Sequence, residues 1–250
     1  MIKFLSGNFF WFLEFINCTF NYCIIPALRQ KITGCRSEDI LNGPDIKRYC
    51  QTTAKIFNIK YTLSNPHNID LTKQFVFISN HSSWFDQPSL KIVPNNPCHF
   101  LAKQDYLKIP ILNWGLQVHQ TIFVNSKSNE LANELCQKYL RIGHSLCLYP
   151  EATRSLGDKI MPFKIGAFKH SSAANIPLLP IYIENTDKIL IKSKPLWQIN
   201  RGTHVVLHVG QAIDVSKGNE NLIREKIEKK YVAFHEALKS TSHGSKFIDW

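Results

Sequence analysis

The sequence has no Cys-x-x-Cys pair, no His-Glu-x-x-His segment, no zinc-finger spacing and no basic helix running into heptads. Its 250 residues therefore offer neither a recognisable metal site nor a familiar nucleic-acid-binding module. No internal repeat or low-complexity linker divides it. Acidic residues are few: 19 Asp and Glu face 30 Lys and Arg, leaving a formal charge of +11. A surface of that sign attracts anions, whether nucleic acid, anionic lipid headgroups or acidic substrates and carriers. The basic residues are spread along the chain rather than gathered in one block, which sets nucleic acid behind lipid. The seven cysteines, Cys18, Cys23, Cys35, Cys50, Cys98, Cys136 and Cys147, are an odd number in a chain too long to need disulfide staples. They read as free, partly buried thiols in a reducing compartment. With 44% hydrophobic residues, the chain can build one sizeable core.

From Phe9 to Leu28 the sequence reads FFWFLEFINCTFNYCIIPAL, near the length of a membrane-spanning helix but broken by polar side chains. Glu14, Asn17 and Asn21 fall at i, i+3 and i+7, so one helical face is polar while Trp11, Phe12, Phe15, Ile16 and Phe20 cover much of the rest. A helix embedded in one leaflet, a span packed by its polar stripe on a second helix, and an amphipathic helix on a soluble core all fit this pattern. Arg29, Lys31 and Arg36 turn the C-terminal side of the run toward the cytoplasm. They also interrupt the apolar stretch that Ile32-Thr33-Gly34-Cys35 would need as a lipoprotein cleavage site. Gly43-Pro44 opens a second helix, expected to run to about Lys60. Residues 1–60 are thus expected to form a membrane-associated helical pair, and residues 61–250 a single domain.

Beyond residue 60 the period changes. Short apolar runs predict strands at Phe75–Ser79, Cys98–Ala102, Thr121–Asn125, Ser145–Tyr149, Leu178–Ile183 and His204–Val209. Helical patterns lie between several of them, near Glu130–Ile142, Lys164–Ala174 and Leu222–Leu238. Such alternation predicts an α/β fold, a mixed central sheet flanked by helices.

Two strand ends carry chemistry. Phe75–Ser79 runs into Asn80-His81-Ser82-Ser83-Trp84-Phe85-Asp86-Gln87-Pro88, and loops leaving the carboxyl ends of strands are where active sites concentrate in α/β sheets. Pro88 suits the first turn of a helix, placing His81 in the loop and Asp86 at the helix entrance. There the carboxylate can accept the imidazole N–H, leaving the other ring nitrogen to take a proton from an attacking hydroxyl. Asp86 as a plain helix cap and His81 as a hydrogen-bonded loop histidine are the alternatives. Ser145–Tyr149 ends in Pro150-Glu151-Ala152-Thr153-Arg154-Ser155, which offers an arginine suited to bidentate phosphate contact beside hydroxyls, or else a solvated turn with a Glu–Arg pair.

Taken together these residues resemble the 1-acylglycerol-3-phosphate (lysophosphatidate) acyltransferases and their glycerolipid relatives. Asn80, His81 and Asp86 match that family's N-H-x-x-x-x-D block. Glu151, Thr153, Arg154 and Ser155 are similar to its E-G-T-R-S block, with Ala152 in place of glycine. Phe163-Lys164-Ile165-Gly166-Ala167-Phe168, Ile176-Pro177-Leu178-Leu179-Pro180, and Ala102-Lys103 with Pro110 and Gly115 continue the likeness, in order, over roughly residues 75–183.

The resemblance implies an acyltransferase catalytic domain over 61–250, with an acyl-CoA or acyl-carrier-protein donor as co-substrate. It also implies a lysophosphatidate acceptor, no metal or bound organic cofactor, and a place on a membrane, which the basic residues after the apolar run put on the cytoplasmic face. It makes His81 the base and Asp86 its orienter, Lys103 and Arg154 the acceptor-phosphate ligands, and Glu151 and Thr153 further substrate-binding residues. One position departs: where the family's G-x-x-F-h-x-R block carries glycine and arginine, this sequence has Gln120 and Ser126, with Lys127 adjacent. That departure keeps a second acceptor open, another lysolipid such as a lysophospholipid with a larger headgroup or a lyso-ornithine lipid. A non-catalytic lipid-binding protein is the more distant alternative.

Overall fold

The computed structural model describes residues 13–17, 19–25, 28, 32, 44–92, 97–109, 113, 116, 121–125, 128–194 and 198–240. Ser126, Lys127, Pro110, Gly115, Gln120, Trp11, Phe12, Arg29, Lys31 and Arg36, all singled out above, lie outside them.

Seven strands form one sheet: β1 (Lys60–Ser64), β2 (Val76–Ser79), β3 (Cys98–Lys103), β4 (Ile122–Val124), β5 (Ser145–Leu148), β6 (Leu178–Glu184) and β7 (His204–Val209). Their order across the sheet is β1-β7-β6-β2-β5-β3-β4. All neighbours run parallel except β6 and β7, so the sheet is mixed as expected. β2 and β5 at its centre are buried along their whole length, which is why VFIS and SLCL read as unbroken apolar runs rather than alternating ones. Pro180 is tolerated inside β6 because the ladder to β7 begins only at Ile181; before that, Gly210 donates to the Pro180 carbonyl.

Helices cover both faces. One is packed by α1 (Pro44–Ile56) and the short α2 (Asp86–Leu90), through a cluster that joins Phe57, Phe85 and Leu90 to Phe77, Leu179 and Ile181. The other is packed by α3 (Glu130–Arg141), α4 (Gly166–Ala174) and α6 (Glu220–Ser240), against Val76, Ile78, Leu146 and Leu178. α3 buries Ala132, Cys136 and Leu140, spaced by one helical turn, and α6 buries Ile227, Tyr231 and Phe234 in the same manner. One-turn α5 (Thr186–Ile189) follows β6 directly. Cys50, Cys98, Cys136 and Cys147 are buried.

Most element ends fall within one or two residues of the sequence reading, and two features differ by more. The second helix, expected to reach about Lys60, ends at Ile56, because Asn58 adopts a left-handed conformation (φ +51°) that stops it. Lys60–Ser64, unread as a strand, pairs in parallel with β7 from Lys60↔His204 to Ser64↔His208. Near the N-terminus, Phe15 packs on the core, 5.6 Å from the Phe57 ring, and residues Phe20–Ile24 form a π-helical turn.

Candidate active site

The topology gathers the two blocks. β2 lies between β5 and β6, all three parallel, so the loops leaving their carboxyl ends share one edge of the sheet. Asn80 fastens the first loop to β6: its side-chain amide donates to the Ile183 carbonyl (2.9 Å) and its Oδ1 accepts from the Ile183 N–H (2.7 Å). His81 then turns its ring toward Asp86. His81 Nδ1 is 2.7 Å from Asp86 Oδ2. An ionised carboxylate only accepts, so the shared proton sits on Nδ1 and Nε2 keeps a lone pair. The side chain of Asp86 is wholly buried, whereas that of His81 is 21% exposed. The same Oδ2 accepts from the backbone N–H groups of Ser82 (2.8 Å) and Ser83 (2.9 Å), and Oδ1 accepts from the Thr186 hydroxyl. Asp86 is the first residue of α2, while Phe85 holds the cap position without a side-chain cap bond. The carboxylate is thus committed to His81, its loop and Thr186.

The second loop closes on His81 from behind. Glu151 Oε1 accepts the His81 N–H (2.7 Å), Oε2 accepts the Met161 N–H (2.8 Å), and Ser155 N–H donates to the His81 carbonyl (2.8 Å). Burial pushes the Glu151 carboxyl up to about 7, outweighing the two N–H donors that favour its charged form. The Tyr149 ring stacks on the His81 imidazole at 4.0 Å and 14°, which fixes the ring plane that Asp86 alone leaves free to tilt. Its hydroxyl is buried with no hydrogen-bond partner among the described residues, and burial pushes it well above its ordinary range.

His81 opens into a cavity of about 1110 Å³. Lys103, Thr153 and Arg154 line it as well; Glu151 does not, being 3% exposed and turned to the loop backbone. The Arg154 guanidinium lies over the Trp84 ring, 4.9 Å from its centroid, and the Lys192 ammonium donates to the Arg154 carbonyl. Lys164 and Lys192 add two cations to the wall. Tyr149, Trp84, Lys192 and Thr186 were not read from the sequence as site residues. Tyr149 had a signal in standing directly before Pro150-Glu151, but Thr186 follows the Ile176–Pro180 segment with nothing local to mark it.

A buried carboxylate orienting an imidazole at the mouth of a cation-rich cavity equips the site to deprotonate a hydroxyl beside an anionic group. The profile of the acyltransferase family matches residues 60–184, and the chain belongs to that family: it is an acyltransferase. Among its relatives, the 1-acyl-sn-glycerol-3-phosphate acyltransferase of Borreliella burgdorferi is 33% identical over 184 residues, covering 69% of this chain and 72% of the relative. The enzyme of the same name from Escherichia coli is 24% identical over 176 residues, covering 69% and 70%. The fold is that of the crystal structure of the 1-acyl-sn-glycerophosphate acyltransferase from Thermotoga maritima, with a TM-score of 0.77 at 20% identity over 98% of this chain and 99% of that one.

Proposed function

We propose that the protein transfers a fatty acyl group from acyl-CoA or acyl-carrier protein to the sn-2 hydroxyl of lysophosphatidate, forming phosphatidate. The observation that carries this reading is the 2.7 Å His81–Asp86 contact at the edge of a cavity lined by Lys103 and Arg154. His81 Nε2 takes the proton of the acceptor hydroxyl as its oxygen attacks the thioester carbonyl. The C–S bond then breaks, and the imidazolium returns the proton to the departing sulfur, releasing a thiol. Lys103 and Arg154, with the Thr153 hydroxyl beside them, receive the acceptor's phosphate; Glu151 acts from behind by holding the His81 backbone. Base and donor suffice for this chemistry, which calls for no metal or resident cofactor. The names of the relatives support the acceptor, and the cations on the wall support an anionic headgroup.

Residues 1–60 are proposed to hold the catalytic domain (61–250) on the cytoplasmic face of a membrane. No helix among the described residues is long and apolar enough to cross one. Leu13, Ile16 and Phe20, at i, i+3 and i+7, are nevertheless 47%, 46% and 48% exposed. An apolar stripe left uncovered in this way fits a helix lying within one leaflet.

Ser126, standing where the resembling family has arginine, favours a second reading with another lysolipid as acceptor. One experiment serves both. Purified wild type and His81→Ala are compared for thiol release from acyl thioesters with lysophosphatidate and with a zwitterionic lysolipid. Turnover is expected to fall by roughly 100- to 10,000-fold in His81→Ala. Wild-type turnover in that variant would end the general-base reading, while a wild-type preference for the zwitterionic acceptor would transfer the reading to that lipid.

A further inference from the structure

Asp86 is held on both oxygens, and the two are held differently. Oδ2 receives three hydrogen bonds from its own loop: His81 Nδ1, Ser82 N and Ser83 N. Among the described residues, Oδ1 receives one, from the hydroxyl of Thr186, a hundred positions further along the chain. A carboxylate has no proton to give, so Thr186 is the donor there. Ser82 Oγ lies 3.2 Å from Thr186 Oγ1; with the Thr186 proton committed to Asp86, Ser82 is the donor in that contact. The result is a directed chain, Ser82 to Thr186 to Asp86.

Thr186 is fully buried and its position is rigidly set. It opens α5 immediately after Asn185, whose left-handed backbone (φ +72°) turns the chain sharply off β6. Ser83 Oγ donates to the Leu190 carbonyl at the far end of the same turn. Gly157 presses on the turn from the other block: a Cβ built there would lie 2.6 Å from Asp187 Oδ2. The segment after β6 is therefore clamped between the two loops that carry His81 and Arg154.

We propose that Thr186 is a positioning residue for acyl transfer: its hydroxyl fixes the plane of the Asp86 carboxylate and keeps the negative charge there while His81 carries the proton. A carboxylate tethered through Oδ2 alone can rotate about its terminal bond, and the Thr186 contact removes that freedom. The hydroxyl also solvates Oδ1 at a place water does not reach, so the imidazolium formed when His81 takes a proton faces a full anion. Thr186 keeps its own proton throughout. It touches neither substrate nor His81, and its effect belongs in turnover rather than in substrate binding.

The inference rests on the general-base reading, and its test is separable from it. Thr186→Val, Thr186→Cys and Thr186→Ser are compared with wild type in the full-length purified protein, with kcat, KM for both substrates, and melting temperature measured for each. Loss of one hydrogen bond to a charged group predicts that kcat falls about tenfold to a hundredfold in Thr186→Val, with both KM values within about twofold. Thr186→Ser, which retains the hydroxyl, should stay near wild type, and Thr186→Cys, a weak donor, should fall between.

In an Asp86→Asn background the valine substitution should have little further effect, because both residues act through one unit. A folded Thr186→Val or Thr186→Cys protein with wild-type kcat overturns the proposal, as does a serine variant no better than the cysteine one. A loss in the Asp86→Asn background equal to that in the wild-type background overturns it too. Should Thr186→Val not fold, the ordering of serine and cysteine decides. If His81→Ala is inactive while the Thr186 series is flat, the general base stands and this role of Thr186 falls.

Discussion

Ala152 adopts a left-handed backbone (φ +56°) at the position where the resembling family carries glycine. For an L-residue with a Cβ that conformation costs about 1 kcal/mol, and it is sustained here by the turn bond from Ala152 N–H to the Tyr149 carbonyl (2.9 Å). Ala152→Gly should therefore raise the stability of the folded protein by about 0.5–1 kcal/mol, the relief of strain exceeding the added freedom of the unfolded chain. Chemical denaturation with urea checks this; a lower midpoint would show that the methyl makes contacts worth more than the strain. At this scale the sequence was legible wherever partners are near one another. His81 and Asp86 are five residues apart, joined by a short loop that ends where α2 begins, and that closeness brings their side chains into contact. The contact of Glu151 was not legible for the opposite reason: its partner, the N–H of His81, is 70 residues away, so nothing local pointed to it.

The loops after β2 and β5 act as one element through Glu151, and that has a pH signature. The folded carboxyl has its value raised to about 7 against an ordinary 4.5, so the folded protein binds this proton more tightly than the unfolded chain does. Its contribution to stability is present in full below about 4.5 and is lost as pH rises through about 7. Glu151→Gln cannot titrate, and its amide NH2 must face either the His81 or the Met161 N–H. The variant should melt well below wild type at about pH 5.5, and the gap should narrow by about pH 8, where wild type has to bury a charge. A gap that stays constant across that range would mean Glu151 is ionised throughout. Element boundaries were legible where burial is continuous, as in β2, β5 and β6, whose apolar runs leave one reading. β1 was not legible, because Lys60–Ser64 is a half-exposed edge strand whose KYTLS carries only Tyr61 and Leu63 as large apolar residues. Its strand character comes from β7, more than a hundred residues away.

For the whole molecule, net charge and the N-terminal stripe act together. On the membrane placement proposed above, the charge of +11 would draw the protein to an anionic bilayer from a distance set by the Debye length, and Leu13, Ile16 and Phe20 would supply the short-range apolar contact. The composition made the charge legible, but not which face of Phe9–Leu28 is free. That depends on Phe15 turning inward to Phe57 and Tyr49, a tertiary choice the helical period leaves open. The two forces separate experimentally. Wild type should co-sediment with anionic vesicles at low salt, lose part of that binding at high salt, and retain the remainder on neutral vesicles. The triple variant Leu13→Ser, Ile16→Ser, Phe20→Ser should lose the salt-insensitive remainder. Each side chain is already half covered, so about 1 kcal/mol apiece is at stake, and together on the order of a hundredfold in partitioning. Phe15→Ser is the contrast: it removes a ring from the core, and should lower the melting temperature while leaving the exposed stripe, and so the vesicle binding of the folded fraction, nearly intact. If the triple variant binds neutral vesicles as wild type does, the stripe is not the membrane contact. If Phe15→Ser instead abolishes binding at full thermal stability, the face assignments are reversed.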